Sequence, residues 1–565
     1  METHEHVDAV VVGSGFGGSV AAYRLAEAGR RTVVLERGRP YPPGSFPRTP
    51  QEMGRAFWDP SEGLYGLFDV WTFRGLESVV ASGLGGGSLI YANVLLRKDE
   101  HWFVTEDPVP GAGHENWPVT RADLDPHYDR VERMLGASRF PAGRPPYRSV
   151  PKAAAMRTAA ERLGLAYQYP PLAVSFAPGP GAEPVPAALI AEPAYGNLHA
   201  APRRTCRLCG ECDIGCNDGA KNTLDHTYLS AARWHGAELR TRAEVRTIRP
   251  RRGGGYEVRY LVHDPADEDR RSDGRARPGR TITCDRLVLA AGTYGTTYLL
   301  LRNRHRLPAV GPALGTRFSG NGDLLGLIRP PRRGDATRFS ASRGPVITTA
   351  IRVGDAHDGD GSPGRGFYLQ DGGYPGFVDW LAESSRLSGA PARRLRFAVD
   401  WLSARLTGSP RSGLGGGLAR LLGDGRLSAG SLPLLGMGRD VPDGVFRLRG
   451  DHLDVDWTTR TSAGYFAAVR STMRAVADVL GSRYTDNPAW WLRRVVTVHP
   501  LGGAPMGRHR GDGVCDGHGQ VFGHPGLYVL DGSAMPGPVG PNPALTIAAV
   551  ADRALDRLLG EPAGR

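Results

Sequence analysis

Three glycines and a glutamate near the start of the chain have the spacing of a dinucleotide-binding site. Gly13, Gly15 and Gly18 follow the pattern G-x-G-x-x-G, and Glu36 comes about twenty residues later. In such a motif the first glycine permits a tight turn, the second lets the backbone approach a pyrophosphate, and the third allows a helix to pack closely on a strand. The phosphates lie at the helix N-terminus, and the carboxylate accepts hydrogen bonds from a ribose. We therefore predict a dinucleotide site.

Four cysteines form a second group that could do chemistry. Cys206, Cys209, Cys212 and Cys216 have the spacing C-x2-C-x2-C-x3-C, which is that of bacterial iron–sulfur ferredoxins. The sequence has no second set of four, and Asn217 stands where a proline usually follows. Four thiolates also suit a zinc ion, and reduced thiols that only pack a loop are the third interpretation. The spacing leaves these alternatives open. A bound cluster would offer a redox cofactor a one-electron exit.

Hydrophobic patterning places these motifs on alternating strands and helices. The apolar run at residues 9–12 predicts a buried strand, followed by an amphipathic helix and by a second strand at residues 33–35. Residues 243–262 alternate on either side of a glycine-rich turn, which predicts a hairpin. Residues 286–302 repeat the order of strand, glycine turn and helix, and residues 117–136 predict a further helix. This alternation is typical of an α/β fold with a Rossmann-like unit.

Composition narrows the class of protein. A chain of 565 residues predicts two or three domains, and 40% hydrophobic with 23% charged residues is typical of a globular protein. The net charge of +12 comes from scattered arginines without a nucleic-acid motif. We therefore predict no nucleic-acid partner and at most peripheral contact with a membrane. The sequence shows no secretory signal and no apolar run near the roughly eighteen residues of a membrane helix, so we expect a cytoplasmic protein.

Five motifs, spread in order along nearly the whole chain, resemble those of the glucose–methanol–choline (GMC) flavin oxidoreductases and, within them, the cholesterol oxidase group. The five motifs are SGLGGGSLIYANV (82–94), LVLAAGTYGTT (287–297), LGTRFSGNGD (314–323), VHPLGGAPMG (498–507) and LYVLDGSAMPGPVGPNPALTIAAVAD (527–552). The N-terminal glycine motif adds to the same resemblance. The resemblance implies an α/β fold in which a Rossmann-like FAD-binding domain carries a discontinuous α+β substrate domain built on an antiparallel sheet. It implies FAD-binding segments at 1–136, 201–330 and 491–565, and substrate-domain segments at 137–200 and 331–490.

The same resemblance implies which residues bind FAD. The ADP half would contact the N-terminal motif, the flavin and diphosphate would contact the 82–94 segment, and the last helix would begin beneath the pyrimidine edge of the flavin. A helix N-terminus there would stabilise the negative charge of the reduced ring. The implied contacts are Gly13, Gly15, Phe16, Gly18, Glu36, Gly87, Asn93, Val94, Val245, Ala291, Gly292, Asp531, Gly532, Asn542 and Pro543.

The implied chemistry is oxidation of a bulky secondary alcohol, with a 3β-hydroxysteroid as the expected substrate. Hydride would pass to flavin N5, with His499 and Asn542 at the substrate hydroxyl, because the hydroxyl proton must leave as the carbonyl forms. Known cholesterol oxidases use a carboxylate to move the double bond afterwards. Here Gln370 stands at the corresponding place and Asp371 is expected to point to the opposite face, so the isomerase step is doubtful.

Two alternatives remain at the level of the sequence. One is a GMC dehydrogenase that oxidises a different alcohol and passes electrons to an acceptor other than oxygen, through an iron–sulfur cluster if the four cysteines hold one. The other is a flavin-binding redox sensor without turnover. The presence of both His499 and Asn542 argues against the sensor, because a protein that only binds flavin needs neither residue.

Overall fold

A seven-stranded sheet carries the predicted dinucleotide motif. In this computed structural model, which describes residues 5–111, 113–268, 270, 279–329, 339–373 and 431–560, the strands lie in the order Glu238–Arg240, Thr32–Leu35, Glu5–Val12, Gly279–Leu289, Tyr256–Val262 and Ala243–Pro250, with Leu527–Val529 also paired to Gly279–Leu289. The pairs that involve Glu5–Val12, Thr32–Leu35 and Leu527–Val529 are parallel. The predicted strands at both glycine turns and the predicted hairpin are confirmed.

Helices cover this sheet because its strands are apolar on both faces. Val10 and Val11 are fully buried, as expected for a parallel strand with helices on each side. The helix Phe16–Glu27 follows the first strand, and its Arg24 bonds Asp552 and Asp556 of the last helix at 2.5 and 2.6 Å. Further helices of this part are Arg121–Met134, Tyr228–Trp234, Gly292–Arg302 and Ala544–Gly560. The helix predicted within 117–136 is confirmed, with Thr120 as its N-cap.

A separate six-stranded antiparallel sheet forms the second structural unit. Its strands lie in the order Ala166–Gln168, Ala350–Val353, Phe367–Asp371, Leu432–Gly438, Leu324–Arg329 and Arg483–Asp486. The helices Pro151–Leu163 and Ala463–Val479 pack against it and against each other. These strands come from distant parts of the chain, which confirms the discontinuous α+β unit on an antiparallel sheet. The exact domain boundaries stay a prediction, and residues 374–430 of the segment 331–490 lie outside the described residues.

Short elements complete the described chain. A three-stranded sheet contains Phe68–Thr72, Leu76–Ala81 and Val495–Thr497. Two-stranded pairs are Trp58–Asp59 with Leu64–Tyr65, Asp107–Val109 with Gly113–Glu115, Ser138–Arg139 with Pro171–Leu172, and Val445–Arg449 with His452–Asp456. The remaining helices are Pro50–Arg55 and Pro488–Trp491. Within the described ranges, no helix combines the length and apolar character that crossing a membrane requires.

Candidate active site

The three glycines of the N-terminal motif occupy different surroundings. Gly13 has φ +94°, and a Cβ there would lie 2.3 Å from the carbonyl oxygen of Ala290. A Cβ at Gly18 would lie 2.1 Å from the oxygen of Gly13, so the helix packs directly on the turn. Gly15 differs, because a Cβ there would meet no atom of the described protein within 4 Å. The turn and the close packing are therefore built in, and the space beside Gly15 remains available to a phosphate.

Glu36 is held beside that turn by Ser14. Its Oε2 atom accepts hydrogen bonds from the backbone N–H of Ser14 at 3.1 Å and from the Ser14 hydroxyl at 2.7 Å, and its Oε1 accepts from the N–H of Gly38. The Ser14 Oγ also accepts from the N–H of Gly85, which joins the second glycine-rich loop to the first. The carboxylate is thus fixed at the carboxyl end of a parallel strand, where ligands of such sheets bind.

Asn93 provides a buried amide that the protein itself does not use. Its φ is +70°, its side chain is fully buried, and neither Oδ1 nor Nδ2 has a hydrogen-bond partner in the described part of the chain. Buried amides in native structures are normally bonded, so this one indicates a polar ligand. Gly87 lies on the same loop, and a Cβ at Gly87 would also meet open space.

Asp531 joins two further turns of the predicted cofactor site. Its carboxylate accepts from the N–H of Gly292, from the Thr296 hydroxyl, and from the N–H and hydroxyl of Ser533, at 2.5 to 2.9 Å. Burial raises the pKa of Asp531, and these four donors oppose that rise. Both carboxylate oxygens are occupied, so Asp531 holds the Ala291–Gly292 and Gly532 turns together. A Cβ at Gly292 would meet no atom within 4 Å.

Three apolar residues of the predicted cofactor set lie in distinct places. Phe16 begins the first helix, and its ring meets that of Tyr91 edge-on with centroids 5.4 Å apart. Val245 is buried on the hairpin strand whose first residue, Ala243, bonds the backbone oxygen of Glu36. Val94 is buried in the hydrophobic cluster that also contains two of the four cysteines. Their contacts with a cofactor stay a prediction.

His499 follows a short strand and is held by a buried carboxylate. Its Nδ1 lies 2.8 Å from Oδ1 of Asp323, which is 1% exposed. The other carboxylate oxygen of Asp323 accepts from the Thr497 hydroxyl and from the N–H of Val498, both at 2.9 Å. A carboxylate only accepts, so the proton of a neutral His499 ring lies on Nδ1 and its Nε2 is left as an acceptor.

Asn542 lies next to Gln370, the residue that stands where cholesterol oxidases are expected to have a carboxylate. Its Oδ1 accepts a 2.8 Å hydrogen bond from Nε2 of Gln370, which lies on the antiparallel sheet. Both side chains are buried, and Gln370 Oε1 has no partner among the described residues. Pro543 comes immediately before the last helix, Ala544–Gly560, so the residue pair does open that helix. The amide nitrogen of Asn542 remains available as a donor.

Asp371 is committed to the protein, unlike its neighbour Gln370. Its two oxygens accept from the backbone and hydroxyl groups of Thr348 and Thr349, and Lys152 Nζ lies 3.2 Å from Oδ2. Both Asp371 and Lys152 are fully buried as side chains. A carboxylate whose two oxygens accept from this many protein donors has no oxygen to offer a substrate.

Known proteins that resemble this chain identify its family. A family model described as GMC oxidoreductase matches residues 451–551, and one described as NAD(P)-binding Rossmann-like domain matches residues 11–42. A cholesterol oxidase of Mycobacterium tuberculosis is 31% identical over 97% of this chain and 90% of its own length. The chain belongs to the GMC oxidoreductase family, in its cholesterol oxidase-like group.

Two more distant proteins match nearly the whole length of this chain. Paromamine 6'-oxidase of Streptomyces fradiae is 26% identical over 99% of this chain and 92% of its own length. The solved structure of formate oxidase from Aspergillus oryzae, whose description names FAD, has a TM-score of 0.59 at 14% identity and covers 98% of each chain. The latter likeness establishes the fold and nothing finer.

This GMC oxidoreductase is an FAD-dependent enzyme that acts on alcohol groups. Its residues fit that cofactor, because the site contains an unused buried amide at Asn93 and open space beside Gly15 and Gly292. Gly15 and Gly292 each follow the carboxyl end of a strand of the central sheet, where a dinucleotide binds. The individual FAD contacts remain a prediction.

The iron–sulfur interpretation of the four cysteines is not supported. All four line a cavity of about 20 Å³, which has room for roughly one water molecule. Among the described residues, no group of three or more His, Cys, Asp or Glu side chains could hold a metal ion, which removes support for zinc as well. Burial raises the pKa of the thiols of Cys206, Cys209 and Cys212.

Lys221 links the cysteine segment to the glycine-rich segment 82–94. Its buried ammonium group donates to the carbonyl oxygens of Leu89 and Tyr91 in the glycine-rich segment 82–94 and of Cys212 in the cysteine segment 206–216, at 2.8 to 3.1 Å. Burial lowers the pKa of Lys221. The cysteine segment therefore braces the segment that carries Asn93, and reduced packing thiols are the interpretation that the structure favours.

We expect the cysteine thiols of the folded protein to react slowly with iodoacetamide. At about pH 8 an ordinary free thiol is partly ionised, whereas burial keeps Cys206, Cys209 and Cys212 protonated. Mass spectrometry after brief labelling should find these three unmodified in native protein and modified after denaturation. Rapid native labelling of Cys206 or Cys212 would contradict the packed arrangement. Metal analysis of the same sample should find neither iron nor zinc in stoichiometric amounts.

Sequence reasoning missed the residues that hold His499 and Asn542, the predicted catalytic pair. Asp323 and Asn321 lie in the motif LGTRFSGNGD, which was matched to the family as a segment without roles for its members. A polar residue beside glycine is a usual turn signal, and nothing in the pattern shows which distant groups it bonds. Sequence reasoning also gave no role to Lys221 or Asp213. Burial raises the pKa of Asp213 to about 6, against the opposing charges of Lys221, Lys152 and His499.

Proposed function

We propose that this enzyme oxidises the secondary hydroxyl of a 3β-hydroxysteroid-like alcohol to a ketone. The observation that carries the proposal is the complementary bonding of two side chains. Asp323 accepts from Nδ1 of His499, which leaves Nε2 as an acceptor, and Gln370 donates to Oδ1 of Asn542, which leaves the amide nitrogen as a donor. An alcohol hydroxyl needs one of each, because it donates a proton and accepts through its oxygen.

These side chains would act on the proton while the carbon loses its hydride. FAD, when bound, supplies the acceptor for that hydride. His499 Nε2 takes the hydroxyl proton as the carbonyl forms, and the Asn542 amide donates to the same oxygen and orients it. A neutral imidazole suits this task near neutral pH. Gln370 holds the Asn542 amide in the orientation that directs its donor outward.

The steroid assignment draws on the similarity to cholesterol oxidases and predicts a product that is not isomerised. Gln370 lies beside Asn542, where it cannot exchange a proton as a carboxylate does. Asp371 cannot replace it, since four protein donors and Lys152 occupy its oxygens. A substrate whose double bond lies one carbon further from the alcohol-bearing carbon, β,γ to the new carbonyl, would therefore leave as the unconjugated ketone.

We expect anaerobic addition of a 3β-hydroxysteroid to bleach the flavin absorbance. Chromatography of the product should find the unconjugated ketone, and the substitution Gln370→Glu should increase the conjugated fraction. Paromamine, the alcohol named in a relative at 26% identity, is the comparator. Bleaching by paromamine and not by the steroid would overturn the substrate class. A wild-type product that is fully conjugated would contradict the role given to Gln370.

Oxygen is the proposed electron acceptor, with a protein or quinone acceptor as the alternative. Readmission of air to the reduced enzyme distinguishes them. Rapid return of the flavin absorbance is expected for an oxidase. Slow return, accelerated by a quinone, would instead identify a dehydrogenase that acts on the same hydroxyl.

A further inference from the structure

We propose that Asp323 and Asn321 are positioning residues for the reaction, and that the loop 319–323 sets the place of both catalytic side chains. In this arrangement Asp323 fixes the ring orientation and proton position of His499, and Asn321 fixes the turn that carries Asn542. The inference rests on the proposed function, because it explains how the two residues assigned to the hydroxyl are held.

Asp323 determines which nitrogen of His499 faces outward. Its Oδ1 receives Nδ1 of the ring at 2.8 Å, while Oδ2 receives the Thr497 hydroxyl and the Val498 N–H. The carboxylate is therefore held by two donors from the strand end that leads into His499. Because a carboxylate offers no proton, the hydrogen must lie on Nδ1, and Nε2 keeps its lone pair for the alcohol.

Asn321 fixes the other catalytic segment through a single side chain. Its Nδ2 donates to the carbonyl oxygens of Gly540 and Pro541 at 3.2 and 3.1 Å, and its Oδ1 accepts from the N–H of Gly540 at 2.9 Å. The amide is fully buried. Three hydrogen bonds thus hold the two residues that come directly before Asn542, so the start of the last helix has one defined position.

The loop itself is anchored independently of both catalytic residues. The backbones of Ser319 and Leu501 exchange hydrogen bonds at 2.9 and 3.1 Å, and Asp440 accepts from the Ser319 hydroxyl and from the N–H of Gly320. The N–H of Gly438, at the end of an antiparallel strand, donates to the carbonyl oxygen of Asn321. Asn321 and Asp323 lie two residues apart on this anchored loop. Their contacts therefore fix the positions of Asn542 and His499 relative to each other.

The decisive variant is Asp323→Asn, which keeps the side-chain shape. Two donors, from Thr497 and Val498, face one terminal oxygen, so the introduced amide oxygen turns to them and its NH2 turns to His499. That places the ring proton on Nε2, where the alcohol needs an acceptor. We expect the rate of flavin reduction at saturating alcohol to fall by a factor on the order of 10²–10⁴. The alcohol concentration that gives half of the maximal rate should not change, because Asp323 is not proposed to contact the substrate.

The matched control is Thr497→Val, which removes a hydroxyl that donates to the same carboxylate and to the carbonyl oxygen of Gly320 and accepts from the His499 N–H. The contact of Asp323 with Nδ1 of His499 remains. We expect a change below about tenfold, because the ring proton stays on Nδ1. Equal losses in the two variants would overturn the proton-position argument in favour of a merely structural role. Loss of FAD from Asp323→Asn would also overturn it, because a positioning residue for His499 should leave cofactor binding intact.

Double variants separate this inference from the proposed function. If Asp323 acts through His499, Asp323→Asn combined with His499→Ala should be no slower than His499→Ala alone, and Asn321→Ala combined with Asn542→Ala should likewise match Asn542→Ala. Additive losses would overturn the positioning roles and leave the catalytic pair in place. Wild-type rates in His499→Ala would overturn the proton-accepting role that the proposed function gives to His499, whatever Asp323→Asn does.

Discussion

Flavin reduction by the alcohol is expected to slow by a factor on the order of 10²–10⁴ when His499 is replaced by Ala. The variant loses the acceptor for the hydroxyl proton, while the loops around Gly15, Asn93 and Asp531 that fit FAD are unchanged. FAD content should therefore equal that of the wild type. Anaerobic stopped-flow mixing with the best substrate measures the rate, and the absorbance of the purified protein measures the FAD.

A second histidine provides the control for this measurement. The side chain of His509 is 74% exposed and bonds only its own loop, so His509→Ala should reduce flavin at the wild-type rate. Turnover of His499→Ala at the wild-type rate would mean that another group accepts the proton. Asp213, which feels the charge of His499, would then be the first group to replace.

Two nearby glycines are expected to have different effects when each is changed to alanine, loss of FAD in one case and loss of stability in the other. Gly15 has φ −70° and no atom within 4 Å of a new Cβ, so Gly15→Ala should fold and lose FAD, since the methyl group fills the phosphate space. At Gly17 a Cβ would lie 1.4 Å from the backbone oxygen of Leu530. Gly17→Ala should therefore lose more than about 3 kcal/mol of stability or fail to accumulate in soluble form.

Cofactor content and thermal unfolding distinguish the two glycine variants. Gly15→Ala should purify without flavin and should unfold at the temperature of wild-type protein from which FAD has been removed. A full equivalent of FAD in Gly15→Ala would show that the phosphates lie elsewhere. Wild-type stability of Gly17→Ala would show that the contact between the first helix and residue 530 is looser than the structure has it.

The parts of this fold that sequence predicts are those with local causes. The turn at Gly13, the helix that follows it and the hairpin at 243–262 depend on residues close together in the chain, and each was located correctly. The support of the catalytic pair depends on contacts across long separations. Asp323 reaches His499 and Asn321 reaches Gly540, so no periodicity or spacing in the sequence could connect them.

The cysteine motif shows the reverse case, in which local spacing misleads. Spacing makes a metal site only if the loop closes around the ion with its sulfur atoms inward. Here Lys221 binds the carbonyl of Cys212 from inside the protein, and Cys206 packs with Val94 in an apolar cluster. The cavity that the four cysteines line has a volume of only about 20 Å³, which is room for roughly one water molecule.

The salt bridges between the first and last helices constrain how the enzyme is made. Arg24 near the start of the chain bonds Asp552 and Asp556, and the strand Leu527–Val529 completes the sheet that begins with Glu5–Val12. During synthesis the glycine turn therefore leaves the ribosome long before the residues that cover it. The central sheet is therefore completed only when the C-terminal segment has been made, and until then its apolar strands expose the kind of surface that aggregates.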